Sequence, residues 1–211
     1  VYDLKNVGYQ NIIYIEDLEI KKGLITSIVG ESGSGKTTLL RLLNQLISHD
    51  TGDIYFEGEN IETMDTIALR RKAIMLPQNP IIISQTIRDN LNLGLELSEK
   101  PKKEDSELIE ALKFFNLDKD LDSDATKLSG GEKQRLSFAR ILLMDPEVFL
   151  LDEPSSALNE ELEDVVLSRF FNYSKKNNKA VVMVTHSRTI AFKYSDEIIS
   201  VEKKVAVKED K

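Results

Sequence analysis

The sequence predicts an α/β fold with a mainly parallel sheet, covered on both faces, and a helical region inserted into it. Three observations lead there. Leu24–Val29, Glu147–Leu151 and Ala180–Thr185 are short apolar runs, the pattern of strands buried on both faces. Each is followed by a stretch with helical spacing, and strands alternating with helices build parallel sheets. From Gln78 to about Asp145 that alternation stops, and Leu108, Ile109, Leu112 and Phe115 recur at helical spacing.

The remaining elements follow in order. Val1 to Val7 alternates weakly and reads as an edge strand. Ile13, Ile15, Leu18 and Ile20 mark a second strand, interrupted near Glu16-Asp17. Lys21-Lys22-Gly23 turns into the strand at 24–29. A helix opens at Lys36 and is expected to end near Ser48-His49-Asp50, where Thr51-Gly52 punctuates the chain. Asp53–Gly58 is a strand and turn, Met64–Arg71 a short helix, and Ala73–Leu76 a buried strand stopped by Pro77. In the insertion, Asn79-Pro80 opens a loop with Ile81, Ile82 and Ile83, and Thr86–Leu91 is helical. Leu97–Asp105 is a polar surface loop, Ser106–Asn116 a helix, and Leu117–Lys127 acidic and turn-rich. Beyond it come helices at Glu160–Lys176 and Ser187–Lys193. Glu197–Val201 and Val205–Val207 pair as a hairpin across Glu202-Lys203-Lys204, and Lys208–Lys211 fray.

The 211 residues suit one large domain or a domain with an inserted sub-domain. Hydrophobic residues make up 41% and charged residues 30%, enough for a substantial core. No run approaches the roughly 18 unbroken apolar residues of a membrane span. Val1-Tyr2-Asp3-Leu4 is already strand-like, so no leader peptide is expected, and the missing initiator Met leaves room for trimming at the N-terminus. The absence of cysteine removes disulfides, zinc thiolates and thiol catalysis. A net charge of −8 argues against a general nucleic-acid surface.

The chemistry begins at Gly30-Glu31-Ser32-Gly33-Ser34-Gly35-Lys36-Thr37, which matches the phosphate-loop pattern G-x-x-x-x-G-K-[ST] between a strand and a helix. Glycines let the backbone wrap a phosphate with its N–H groups inward, and the helix start adds a positive dipole end. Lys36 is placed for the β- and γ-phosphates and the Thr37 hydroxyl for Mg²⁺, with Thr38 completing the cradle. The chain therefore binds a nucleoside triphosphate. Val148–Leu151 leads into Asp152-Glu153, and carboxylates at the exit of a buried strand need partners. Asp152 is assigned to Mg²⁺, and Glu153 to polarising an attacking water. Leu128-Ser129-Gly130-Gly131-Glu132-Lys133-Gln134-Arg135 joins a serine cap and two glycines to a helix start, a second anion-binding surface. One nucleotide does not need two such surfaces from one chain; two copies arranged head to tail use both.

This last stretch, shortly before the Asp152-Glu153 strand, resembles the signature of ATP-binding cassette (ABC) ATPases, and the resemblance covers nearly the whole chain. It implies a P-loop NTPase (RecA-like) core at 1–77 and 146–211, with an antiparallel β subdomain and a helical subdomain at about 78–145, all one nucleotide-binding domain. It implies ATP and Mg²⁺ as ligands, hydrolysis, and an ATP-dependent dimer. Ser129 and Gly131 then meet the γ-phosphate across the dimer, with Gly130 in the same nucleotide-binding surface. Gln78 matches the glutamine that contacts Mg²⁺ and water, His186 the γ-phosphate-sensing histidine, Tyr9 the aromatic that stacks on adenine, and Glu153 the catalytic carboxylate. His49 has no such context and reads as a surface residue. Ser155–Asn159 stands where the family has its dimer-communication loop, with Asn159 in place of the usual aspartate, which puts coupling between the two sites in doubt.

The leading expectation is the ATPase subunit of an ABC transporter, with separate transmembrane permease subunits, no nucleic-acid partner, and a cytoplasmic, peripheral place on the inner face of the membrane. The isoleucine loop and Thr86–Leu91 lie where family members receive the membrane subunits. A soluble ATPase of this family acting on DNA or the ribosome, or the ATPase domain of a longer exporter chain, are the alternatives. Pro77–Pro80 and Thr86–Leu91 also resemble small ATPases of iron or other metal exporters.

Overall fold

The computed structural model describes residues 1–202 and 205–209, the backbone alone for 202 and 205–209. The chain divides into two compact units: residues 1–75, 147–153 and 173–211, and residues 76–146 and 154–172.

The first unit is built on a ten-stranded sheet. Its strands are β1 (Tyr2–Tyr9), β2 (Ile13–Ile20), β3 (Ile25–Val29), β4 (Thr51–Phe56), β5 (Glu59–Asn60), β6 (Ala73–Leu76), β7 (Val148–Asp152), β8 (Ala180–Val184), β9 (Glu197–Glu202) and β10 (Val205–Glu209). They lie in the order β5-β4-β1-β2-β10-β9-β3-β8-β7-β6. β9, β3, β8 and β7 run parallel, with Ile25 opposite Val181 and Phe149 opposite Val181 on its other side. β4, β1 and β2 are antiparallel. β10 joins the two regions, antiparallel to β9 and parallel to β2. Every residue of β3, β7 and β8 is buried, including the polar Thr26 and Ser27 within β3 and Asp152 at the end of β7, as suits strands covered on both faces. Successive residues of a strand face opposite ways. Ile28 and Ile199 accordingly pack with Leu39, Leu40, Leu42 and Leu43 of α1 (Lys36–Leu43), while Val29 and Ile198 pack with Ala191 of α2 (Arg188–Tyr194). Each such fully buried Leu or Ile contributes about 1.5–3 kcal/mol relative to exposure.

Several boundaries differ from those expected. β1 is no edge strand: it pairs with β2 on one side and β4 on the other. β2 is not interrupted at Glu16-Asp17; both carboxylates face solvent, and Asp17 takes an ion pair from Lys5 across the ladder at 2.7 Å. α1 ends at Leu43 rather than near 48–50. The Tyr2 hydroxyl donates to the Leu43 carbonyl at 2.8 Å, and Arg70 donates to the carbonyls of Asn44 and Gln45. Side chains satisfy the helix-end carbonyls there, and Gln45 turns left-handed at φ 52°. Lys208 and Glu209 belong to β10 rather than to a frayed end. The expected turn at Lys203-Lys204, and Asp210-Lys211, lie outside the described residues. A further short helix, Thr66–Lys72, is capped by Asp65.

The second unit is helical: α3 (Ile87–Leu97), α4 (Asp105–Phe114), α5 (Gly130–Met144) and the greater part of α6 (Glu160–Lys176). α3 runs well past the expected Leu91. Phe138 of α5 lies 5.4 Å from Phe115 and 5.2 Å from Phe170 of α6, edge-on to the latter, an arrangement that adds about 0.5–1.5 kcal/mol per pair beyond area burial. Asn90 on α3 is fully buried. Its carbonyl oxygen accepts from the Ile83 and Ser84 N–H groups, and its amide donates to the Ser84 and Thr86 carbonyls. Arg140 of α5 donates to the Ile81 carbonyl at 3.0 Å. The 81–86 loop is thereby pinned, with Ile81 55% and Ile83 47% exposed.

Candidate nucleotide site

β3 delivers the chain into the 30–37 loop, and two of its glycines are required by geometry. Gly30 has φ +151°, and a Cβ there would lie 2.5 Å from the Val201 carbonyl oxygen. Gly35 caps α1 at φ +101°, where a Cβ would come within 3.2 Å of the Ile12 carbonyl oxygen and Ile13. The side chain of Lys36 folds back along the loop, donating to the Gly30 carbonyl at 2.9 Å and the Glu31 carbonyl at 2.7 Å. Two of its three N–H donors are thus committed, and the ammonium is held at the loop. Ser32, Gly33 and Ser34 line a cavity of about 790 Å³ together with Gly30 and His186. The Ser34 hydroxyl is buried there without a hydrogen-bond partner, a cost that a ligand oxygen removes. Thr38 is half-buried on α1.

Thr37 lies one residue inside α1, and its hydroxyl donates to Oδ1 of Asp152 at 3.0 Å. Asp152 ends β7 at 5% exposure. Burial pushes its carboxyl above the ordinary range, opposed by the Thr37 hydrogen bond and by Arg41 and Lys36. A buried carboxylate oxygen beside a hydroxyl suits a hard cation such as Mg²⁺. Mg²⁺ takes one or two protein oxygens and completes its shell with phosphate and water. Among the described residues no cluster of three or more His, Cys, Asp or Glu forms an all-protein cage.

Glu153 adopts φ 48°, a left-handed conformation costing a non-glycine residue roughly 1–2 kcal/mol. Its own N–H donates to the Val184 carbonyl at 2.9 Å, which holds the turn. Its Oε2 lies 2.8 Å from Nδ1 of His186 and receives the His186 N–H at 3.4 Å. Strain of this kind collects at functional positions. Tyr9 lines a different cleft, of about 600 Å³, with Gln10, Asn11, Ile13, Tyr14 and Asp50. Ile13 belongs to that cleft and also abuts Gly35, so the cleft borders the helix end of the loop.

The first unit therefore brings Lys36, Thr37, Asp152, Glu153 and His186 to one loop cluster. Gln78, Ser129, Gly130 and Gly131 belong to the second unit. Gln78 is exposed on a bend after β6. Ser129 caps α5 through a reciprocal pair with Glu132: the Ser129 N–H donates to Glu132 Oε2 at 2.8 Å, and the Glu132 N–H to Ser129 Oγ at 3.4 Å. Gly130 opens the helix, and a Cβ on Gly131 would lie 3.1 Å from the Ala157 carbonyl oxygen. Asn159 accepts from the Leu162 N–H at 3.0 Å and so serves as the cap of α6. Two polar residues of the cavity carry no motif. Arg188 follows the expected histidine, and Ser200, 6% exposed with an unpartnered hydroxyl, is a lone polar residue in the apolar run Ile198–Val201. That interruption is the one signal the sequence offered for it.

A family model described as ABC transporter matches residues 16–156. The chain belongs to the ABC transporter family. It is 38% identical over 194 residues to ABC transporter I family member 17 of Arabidopsis thaliana, covering 89% of this chain and 72% of that one. It is 38% identical over 221 residues to the phosphate import ATP-binding protein PstB of Pyrobaculum aerophilum, covering 94% and 88%. It spans about half the length of some other curated relatives. A solved dimeric ATP-binding cassette in a post-hydrolysis state, bound to ADP and Pi, superposes with a TM-score of 0.87 at 27% identity, covering all of this chain and 98% of that one. The chain has the P-loop NTPase fold of these cassettes and is an ATP-binding, ATP-hydrolysing subunit of an ABC transporter. No helix among the described residues is long and apolar enough to cross a membrane.

Proposed function

We propose that two copies of this chain close head to tail on two ATP molecules and reopen after hydrolysis, driving separate permease subunits from the inner face of the membrane. The observation that carries this reading is the joining, through Asp152-Glu153, of a metal-type oxygen pair to a held carboxylate–histidine pair. Loop N–H groups and the third Lys36 donor receive the β- and γ-phosphate oxygens. Thr37 and Asp152 would hold Mg²⁺, which would neutralise phosphate charge, and the resemblance adds Gln78 as a further ligand. Glu153 accepts the proton of the attacking water, and His186 orients that carboxylate and meets the γ-phosphate. Tyr9 stacks on adenine. Ser129, Gly130 and Gly131 of the second copy close over the γ-phosphate. The acidic balance supports a protein rather than a nucleic-acid partner. The exposed, pinned isoleucine loop supports a permease contact, since exposed apolar patches mark interfaces.

The test is phosphate release by the purified chain with and without Mg²⁺, paired with capture of its partners from detergent-solubilised membranes. Mg²⁺-dependent turnover and co-purification of a multi-span protein support the reading. Turnover indifferent to Mg²⁺ overturns the metal assignment, and ribosomal or DNA-associated partners overturn the transport assignment.

A further inference from the structure

Glu132 lies in the first turn of α5, beside the glycines that the head-to-tail reading sets against a triphosphate. A carboxylate in that position opposes a polyanion, and like charges in one small site repel. Both of its oxygens are occupied. Oε2 accepts the Ser129 N–H at 2.8 Å, while Oε1 lies 2.9 Å from Nζ of Lys119. Lys119 does not come from α5; it reaches over from the coil after α4. The reciprocal cap is complete without it, so capping does not account for the ammonium. Protonation does not supply neutrality either, because the Lys119 and Ser129 hydrogen bonds hold the carboxyl down at about 2. The two side chains are 40% and 22% exposed, so in the free subunit this is a surface pair of small worth to stability. Its weight grows once a second subunit excludes water from the site.

We propose that Lys119 is a positioning residue that neutralises Glu132, so that the Ser129–Gly131 surface accepts the triphosphate held by a second copy of this chain. The inference rests on the head-to-tail reading. It assigns an electrostatic task to a residue in a stretch otherwise dominated by aspartates, Asp118, Asp120, Asp122 and Asp124.

The experiment is ATP-dependent dimerisation followed by analytical ultracentrifugation, in a Glu153→Gln background that slows turnover. Lys119→Met is expected to weaken the dimer about tenfold, since the pair acts in both halves, and the loss should shrink as salt is raised. Lys119→Arg should keep the dimer. Adding Glu132→Gln to Lys119→Met should restore it, because removing the carboxylate removes the need for its counter-ion. A Lys119→Met dimer as stable as the background overturns the proposal, as does a failure of Glu132→Gln to restore the weakened one. A Glu153→Gln chain that forms no dimer with ATP at all overturns the head-to-tail reading, and this inference with it.

Discussion

Nδ1 of His186 lies 2.8 Å from Oε2 of Glu153, and the His186 backbone N–H is directed at the same oxygen. Both contacts fall on one carboxylate oxygen, Oε2. The side chain of Glu153 is 14% exposed and that of His186 77%, so the carboxylate is sheltered and its partner is accessible. A held carboxylate suits the general-base role proposed for Glu153, which requires a fixed orientation.

Glu153→Gln keeps the shape and removes the basicity. Turnover should fall by about 10²–10⁴-fold while ATP binding stays within about threefold of the parent. Phosphate release and equilibrium binding check the two halves. Hydrolysis at the parental rate would refute the role of Glu153.

Lys36→Ala removes an ammonium that the loop's own carbonyls hold in place. Charge-assisted hydrogen bonds of this kind are worth about 1.5–3 kcal/mol, so ATP affinity should fall roughly 10- to 100-fold. Calorimetric titration measures it, and an unchanged dissociation constant would remove the phosphate loop from the binding site.

Gly30→Ala places a methyl 2.5 Å from the Val201 carbonyl oxygen, in a backbone region that alanine avoids. The carbonyl belongs to a paired strand and cannot easily yield. Stability should drop by about 1–3 kcal/mol, read as a lower urea midpoint. A midpoint equal to the parent's would show that the loop and β9 separate more easily than their contact suggests.

Glu132 carries a pH signature. Its folded carboxyl titrates near 2, below the ordinary value of 4.5, because Lys119 and the Ser129 N–H stabilise the charged form. That stabilisation is fully present above the unfolded value and is lost as pH falls from about 4.5 through 2. Glu132→Gln should therefore lose less stability than the parent between pH 7 and pH 3. Parallel curves for the two proteins would contradict the shift.

Much of the α/β pattern was legible because buried parallel strands write short, mostly apolar runs, unbroken in β8, closed by Asp152 in β7 and interrupted only by Thr26-Ser27 in β3. The phosphate loop was legible because its chemistry demands fixed residue types at fixed spacing. Helix ends set by distant side chains were not: nothing near Leu43 announces that Tyr2, 41 positions away, takes its carbonyl. The weak alternation of β1 concealed an interior strand, whose neighbours β2 and β4 are fixed by pairing rather than by local pattern. Ser200 and Lys119 were hidden for the same reason, since each gains meaning from a partner or cavity that folding assembles.

The fully bonded amide of Asn90 divides two burdens between different residues. The backbone of the 81–86 loop is anchored by the buried Asn90 side chain and by Arg140, and the half-exposed side chains of Ile81 and Ile83 supply none of those hydrogen bonds. Ile81 and Ile83 are consequently free to drift in sequence while the loop keeps its form. A lineage could exchange the surface it presents there without refolding the subunit, and a change at Asn90 would disturb every such surface at once.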